Sequence, residues 1–159
     1  MFSWWKSRRE LPFSDSLQHV IRRSREEALR LQNDYVGPEH LLLAMLAEPE
    51  SRAAQLLDTL LVSSVLFGQR LTDAVTGHRL EPDQPLPTGS IALTVEAEQA
   101  LHSSQRVARQ LRAPALEALH LLLPLLAQPT GRGALLSADF GLTFEVVLAR
   151  MPEPDKPGR

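Results

Sequence analysis

Glu39-His40, at the head of an apolar run, is the first pair in this sequence that invites chemistry. A histidine beside a carboxylate is a common way to hold a zinc ion or to move a proton near neutral pH. Zinc proteases place His-Glu-x-x-His on one helical face so that two imidazoles meet one metal. Here the order is reversed, and the residue four positions after His40 is Ala44, so no second imidazole follows. His120 sits in a similar apolar run but is preceded by Leu119. Neither pattern builds a metal site. Both histidines are expected to bond backbone near a helix start, at the same point of two similar segments. No Gly-x-Ser-x-Gly elbow and no cysteine occur, which leaves nucleophilic hydrolysis and thiol chemistry without residues to run on. The two lysines, Lys6 and Lys156, follow no glycine-rich turn, so no Gly-x-x-x-x-Gly-Lys-[Ser/Thr] cradle for nucleotide phosphates exists in these 159 residues. The reading is of a protein that is not an enzyme, with no cofactor and no metal.

The two histidines belong to a repeat. Gly37-Pro38-Glu39-His40-Leu41-Leu42-Leu43 returns as Glu117-Ala118-Leu119-His120-Leu121-Leu122-Leu123, an offset of 80 residues. The register holds without a gap on both sides: Phe13-Ser14 falls on Leu93-Thr94, Ala28 on Ala108, Arg52 on Arg132 and Leu56 on Leu136. One packing unit is used twice.

Each unit must position these residues with helices. Leu17, Val20, Ile21, Ser24, Ala28 and Leu31 recur at three- and four-residue steps, the signature of an amphipathic helix. Ser14 is its expected N-cap, and Asn33-Asp34 its expected stop. Pro38 then opens a second helix to Ala47 that is apolar nearly all round and so should be buried. Pro49 introduces a third helix, and Ser63 caps a fourth. In the second unit Thr94 caps the first helix, Pro114 starts the buried one, Pro129 precedes the third and Thr143 caps the fourth. Pro124 removes the backbone bond to His120, so the second buried helix is expected to be kinked or to begin late. The fold class predicted is all-α, two pseudo-symmetric four-helix repeats. The boundaries are a flexible leader over 1–12, the first repeat over 13–77, a proline-stiffened linker over 78–92, a divergent second repeat over 93–151 and a disordered tail over 152–159.

Phe13-Ser14, Glu26-Glu27-Ala28, Val36-Gly37-Pro38-Glu39-His40-Leu41-Leu42-Leu43 and Ala54-Gln55-Leu56-Leu57 resemble the N-domain repeat of the Clp unfoldases over about Phe13 to Met151. The resemblance implies a small helical double repeat that recruits substrates or adaptors to a hexameric ATPase. It makes the expected function a non-enzymatic interaction domain that binds substrate segments, an adaptor or the Clp ATPase and modulates Clp-dependent proteolysis or unfolding. The expected partners are the Clp ATPase or protease, an adaptor, or unfolded or tagged substrate protein. In some members a hydroxyl at the start of the first helix and the glutamate before the histidine hold phosphorylated arginine. Carried over by position, these are Ser14 and Glu39 in the first unit and Thr94 in the second, where Leu119 replaces the carboxylate. One complete pair in the first unit and one broken pair in the second are expected. An N-cap role for Ser14 and a first-turn acid role for Glu39 account for the same residues without a ligand. The leader and the tail favour a free-standing chain, the alternative being an N-domain excised from a full-length Clp ATPase. A second alternative is a regulatory protein that uses the same fold for an unrelated protein or nucleic-acid partner.

A formal charge of −2 argues against a protein built to neutralise phosphate backbones. Arg22, Arg23, Arg25 and Arg30 are interrupted by Glu26 and Glu27, with no aromatic residues interleaved to stack bases, so no nucleic-acid partner is expected. Ser7-Arg8-Arg9 leads into charged residues rather than an apolar stretch, which excludes an export signal, and no apolar run is long enough to span a bilayer. The cytoplasm is the expected compartment. Phe2, Trp4 and Trp5 beside Lys6, Arg8 and Arg9 form a candidate docking element.

Overall fold

The computed structural model describes residues 10–48, 51–76, 91–128 and 131–151. In them lie α1 (Asp15–Arg30), α2 (Pro38–Ala47), α3 (Arg52–Thr59), α4 (Ser64–Thr76), α5 (Val95–Gln110), α6 (Ala118–Leu126), α7 (Arg132–Asp139) and α8 (Phe144–Ala149). Among the described residues, β-structure amounts to two isolated parallel bridges, Phe13 with Leu116 and Val36 with Leu93. The architecture is all-helical, four helices to a repeat, as the periodicity predicts. Pro49, Pro129, the linker prolines, the tail and the leader aromatics Phe2, Trp4 and Trp5 lie outside the described residues.

The helix starts follow the hydroxyls. Ser14 Oγ accepts from the Leu17 amide, Thr94 Oγ1 from Ala97, Ser63 Oγ from Leu66 and Thr143 Oγ1 from Val146, each satisfying an amide that has no partner within its own helix. Ser51, unflagged by the sequence reading, caps α3 through the Ala54 amide. The stops differ from expectation. Helix α1 ends at Leu31 because Gln32 turns left-handed, at φ 60°, not because Asn33-Asp34 break it. Its end carries paired bonds, Gln32 N–H to Leu29 O and Asn33 N–H to Ala28 O, that close the last turn. The same pair of bonds ends α3, α5 and α7, with Leu61, Arg112 and Gly141 at the left-handed position.

Pro114 does not start the buried helix of the second repeat. That helix begins at Ala118, the counterpart of Pro38, while Pro114 occupies the loop before it. Nor does Pro124 delay the start of α6. The proline falls in its interior, and the Ala127 amide still closes onto Leu123 O at 3.1 Å. One lost bond is tolerated because every residue from Ala118 to Leu126 is buried, and each buried leucine contributes about 1.5–3 kcal/mol.

The repeats are interlocked. Helix α3 packs on α6, and α7 packs on α2 and α4. Phe67 in α4 meets Phe140 after α7, with ring centroids 5.2 Å apart. Leu17, Val20, Leu41, Leu42, Met45 and Leu71 form one continuous core with Leu101, Leu121, Leu122, Leu125 and Val147. Gln105 of α5 holds Leu11 through both backbone groups, accepting from its N–H at 2.9 Å and donating to its carbonyl at 3.1 Å.

Candidate functional site

His40 and His120 are structural pins. The Gly37 amide donates to His40 Nδ1 at 2.9 Å, and the Glu117 amide donates to His120 Nδ1 at the same distance. Each imidazole, third residue of its helix, thereby satisfies the amide of its own cap residue. With Nδ1 an acceptor, His40 Nε2 carries the proton and donates to Asn33 Oδ1 at 2.9 Å. Asn33 Nδ2 donates in turn to Val75 O at the end of α4. Tyr35 stands edge-on to the His40 ring, centroids 5.3 Å apart. Burial holds the His40 imidazole down at about 4, with Glu27 opposing weakly, and it also lowers His120. In the second repeat Ala113 stands in the place of Asn33, so this amide link to a fourth helix is built only into the first.

The pins set the first turns of α2 and α6, and the α2 turn forms one wall of a cleft of about 540 Å³. Tyr35, Gly37, Pro38 and Glu39 line that wall, Thr94, Glu96 and Gln99 at the start of α5 line another, and Gln128 with Gly131 and Arg132 at the start of α7 close the end. The N-termini of α2, α5 and α7 therefore open at one place, and their free amides favour negative charge. Glu39 and Glu96 favour a cation. A Cβ built on Gly37 would lie 3.0 Å from Glu39 Oε2 and 3.4 Å from the Tyr35 ring, so the absent side chain lets this carboxylate settle beside the phenol. Burial, Glu39 and Asp34 all raise the Tyr35 phenol, while Arg132 opposes them. Arg132 Nη1 also donates to Ala74 O at 2.7 Å, tying α7 to the end of α4. Neither histidine nor cysteine lines this cleft; the arrangement suits a ligand with adjacent positive and negative groups.

The repeats exchange partners to build it. The Thr94 amide donates to Val36 O at 2.9 Å and the Ser14 amide to Leu116 O at 2.9 Å, so each first-helix cap sits against the other repeat's loop. Glu39 shares its cleft with Thr94, and Ser14 does not line that cleft. The structure thus brings Glu39 to the same cleft as Thr94 of the other repeat rather than Ser14 of its own. By the offset of 80, Ser14 and Leu119 are the counterparts of Thr94 and Glu39. The carboxylate there is moved two residues back to Glu117, where Gly37 stands in the first repeat, and Arg52 Nη1 lies 3.7 Å from it. His19 and Glu48, counterparts of Gln99 and Gln128, are joined at 2.8 Å. The Arg52–Glu117 ion pair and the His19–Glu48 contact thus stand at the positions equivalent to those lining the cleft. Local periodicity carries no trace of this exchange; the available signal was the pair of extended segments, 11–14 and 91–94, each needing a backbone partner.

Among the described residues no helix is long and apolar enough to cross a membrane, and no cluster of three metal-ligating side chains occurs. The N-domain of ClpV from Vibrio cholerae superposes with a TM-score of 0.69 at 16% identity, over 89% of this chain and 87% of that one. The N-terminal domain of the chaperone ClpD from Arabidopsis thaliana gives 0.67 at 16% identity, over 87% and 93%. In sequence the chain is 28% identical, over 138 residues, to the ATP-dependent Clp protease ATP-binding subunit ClpC of Staphylococcus saprophyticus, which covers 87% of this chain but 16% of that protein. The model of the Clp repeat (R) N-terminal domain matches residues 12–88 and again 92–153. Two matched copies spanning nearly the whole sequence, on a fold shared with Clp N-domains, mean that this chain belongs to the Clp repeat N-terminal domain family.

Proposed function

We propose that this chain is a non-catalytic recruiting module that binds substrate segments, an adaptor or a Clp ATPase, and thereby modulates Clp-dependent unfolding or proteolysis in the cytoplasm. The observation that carries this reading is the cleft where the hydroxyl-capped start of α5 and the Glu39 carboxylate of α2 face one space. Two repeats, 13–77 and 93–151, serve as the two walls. The ligand chemistry that fits is phosphorylated arginine, its phosphate against the helix N-termini, Thr94 and Arg132, its guanidinium against Glu39. Phe2, Trp4 and Trp5 are the element assigned to docking on the machine.

Titration with phosphoarginine, followed on the backbone amides, should shift Glu39, Thr94 and Gln99 and leave Ser14 unmoved. Glu39→Ala should remove the response. Absence of any saturable shift at millimolar ligand would end the tag reading. The wider reading is tested by mixing the protein with a Clp ATPase and protease: it should co-migrate with the machine or an adaptor, or change degradation of a model substrate. Deleting residues 1–9 should weaken that association without lowering helicity. Failure of both measurements with the intact chain would favour an unrelated partner.

A further inference from the structure

The corner between α3 and α4 exposes apolar surface that the core does not use. Leu61 is 92% exposed, Val65 68% and Leu66 56%, all within six consecutive residues. Leu61 also occupies a left-handed backbone position, φ 58°, which is strained for an L side chain and where the second repeat has Gly141 at φ 78°. Neither folding strain nor solvation favours a leucine at this position.

Beside it lies a cleft of about 390 Å³ between α4 and the end of α2, with Leu43, Leu46 and Val65 among its lining residues. Gly68, inside α4, leaves it open: a Cβ there would meet Leu43 Cδ2 and Leu46 Cδ1 at an ordinary 3.9 Å, so nothing in the packing demands glycine. A glycine in a helix interior is less favourable than alanine. The matching position of α8, which packs on α6 as α4 packs on α2, is Leu148. A leucine at that register is thus compatible with the fold, and the first repeat omits it.

We infer that this corner docks an amphipathic helix of a partner protein, which inserts one leucine-sized side chain over Gly68 and lays its apolar face on Leu61 and Val65. The exposed apolar area is on the order of 300 Å², the scale that marks an interaction patch on a monomer. It falls well short of the roughly 800 Å² per side of a stable dimer, which argues against a second copy. The rim beside the cleft carries Ser64, Gln69 and Thr72 with one exposed carboxylate, Asp73, while Glu27 is held by Arg30 at 2.6 Å, so recognition is mainly apolar. The groove runs between helices, and among the described residues no sheet edge is available for strand addition, which leaves a helix-in-groove mode. This surface is distinct from the Glu39–Thr94 cleft and does not depend on its ligand.

The probe is a neutral helical peptide with leucines at i, i+3, i+4 and i+7, titrated into the full chain with amide shifts as readout. Shifts at Leu46, Val65, Gly68 and Thr72, with Glu39 and Thr94 unmoved, are the expected result. Leu61→Gly should weaken binding about tenfold or more while leaving the thermal midpoint unchanged or raised, because strain is removed from the fold. Gly68→Leu should block insertion in the same assay. Shifts confined to the Glu39–Thr94 cleft, or binding by both variants equal to that of the unaltered protein, overturn the proposal. So do peptide-free shifts of the same amides on concentrating the protein, which would assign the corner to a second copy, or on deleting residues 1–9, which would assign it to the leader.

Discussion

Leu42→Ala is expected to cost about 2–5 kcal/mol and to weaken both repeats together. Leu42 is 2% exposed at the centre of α2, and a Cβ built on Gly133 would lie 3.0 Å from its Cδ1, which seats the leucine against α7 of the other repeat. Truncation removes the transfer energy of the side chain and leaves a void where the two units meet. Because α2 touches α1, α3 and α4 on its own side and α5, α6 and α7 on the other, neither unit can repack without the other. Urea unfolding followed by circular dichroism should show one transition moved to lower denaturant at unchanged slope. Two separated transitions, or a loss below about 0.5 kcal/mol, which is the scale of a surface substitution, would show that α2 is not the shared centre.

Acid should destabilise the protein through His40. Its pKa in the folded chain is lowered from 6.5 to about 4, so the unfolded chain takes up the proton more readily. The contribution is fully present above about pH 6.5 and is lost as the pH falls from there to about 4, by roughly 3 kcal/mol at about 1.4 kcal/mol per unit. The physical event is protonation of Nδ1, which turns the acceptor of the Gly37 amide into a second donor. Burial also lowers His120, which adds loss in the same direction below 6.5. Imidazole proton shifts measured against pH isolate the two rings from the carboxylates that titrate nearby. A His40 midpoint close to 6.5 would contradict the buried pin.

Much of the architecture is legible residue by residue. The offset of 80, the capping hydroxyls at Ser14, Ser63, Thr94 and Thr143, and the run from Leu41 to Met45 are local signals, and local hydrogen bonding and helical periodicity turn them directly into helices. The histidine pins are equally local, since a third-residue imidazole reaches its own cap amide. Gln32, Leu61 and Arg112 hid three helix ends, because sequence rules look for glycine at a left-handed position and find it only at Gly141. Pro114 drew attention to the wrong start, since a proline that opens one helix and a proline that shapes a loop look alike. The site was legible in its parts and not in its pairing. Glu39 and Thr94 lie far apart in the chain and meet through a bridge whose register depends on how two whole units dock.

The crossed bridges, Phe13 to Leu116 and Val36 to Leu93, have the geometry of two identical subunits that have traded arms. A symmetric dimer must accept every substitution twice, once on each side of its axis. A tandem chain accepts it once. Glu39 opposite Leu119, Gly37 opposite Glu117, Gly68 opposite Leu148 and Leu61 opposite Gly141 are all one-sided choices that such a dimer could not make. The covalent link therefore gives the molecule the inheritance rules of a heterodimer: either half can drift toward a new ligand while its twin goes on holding the shared frame.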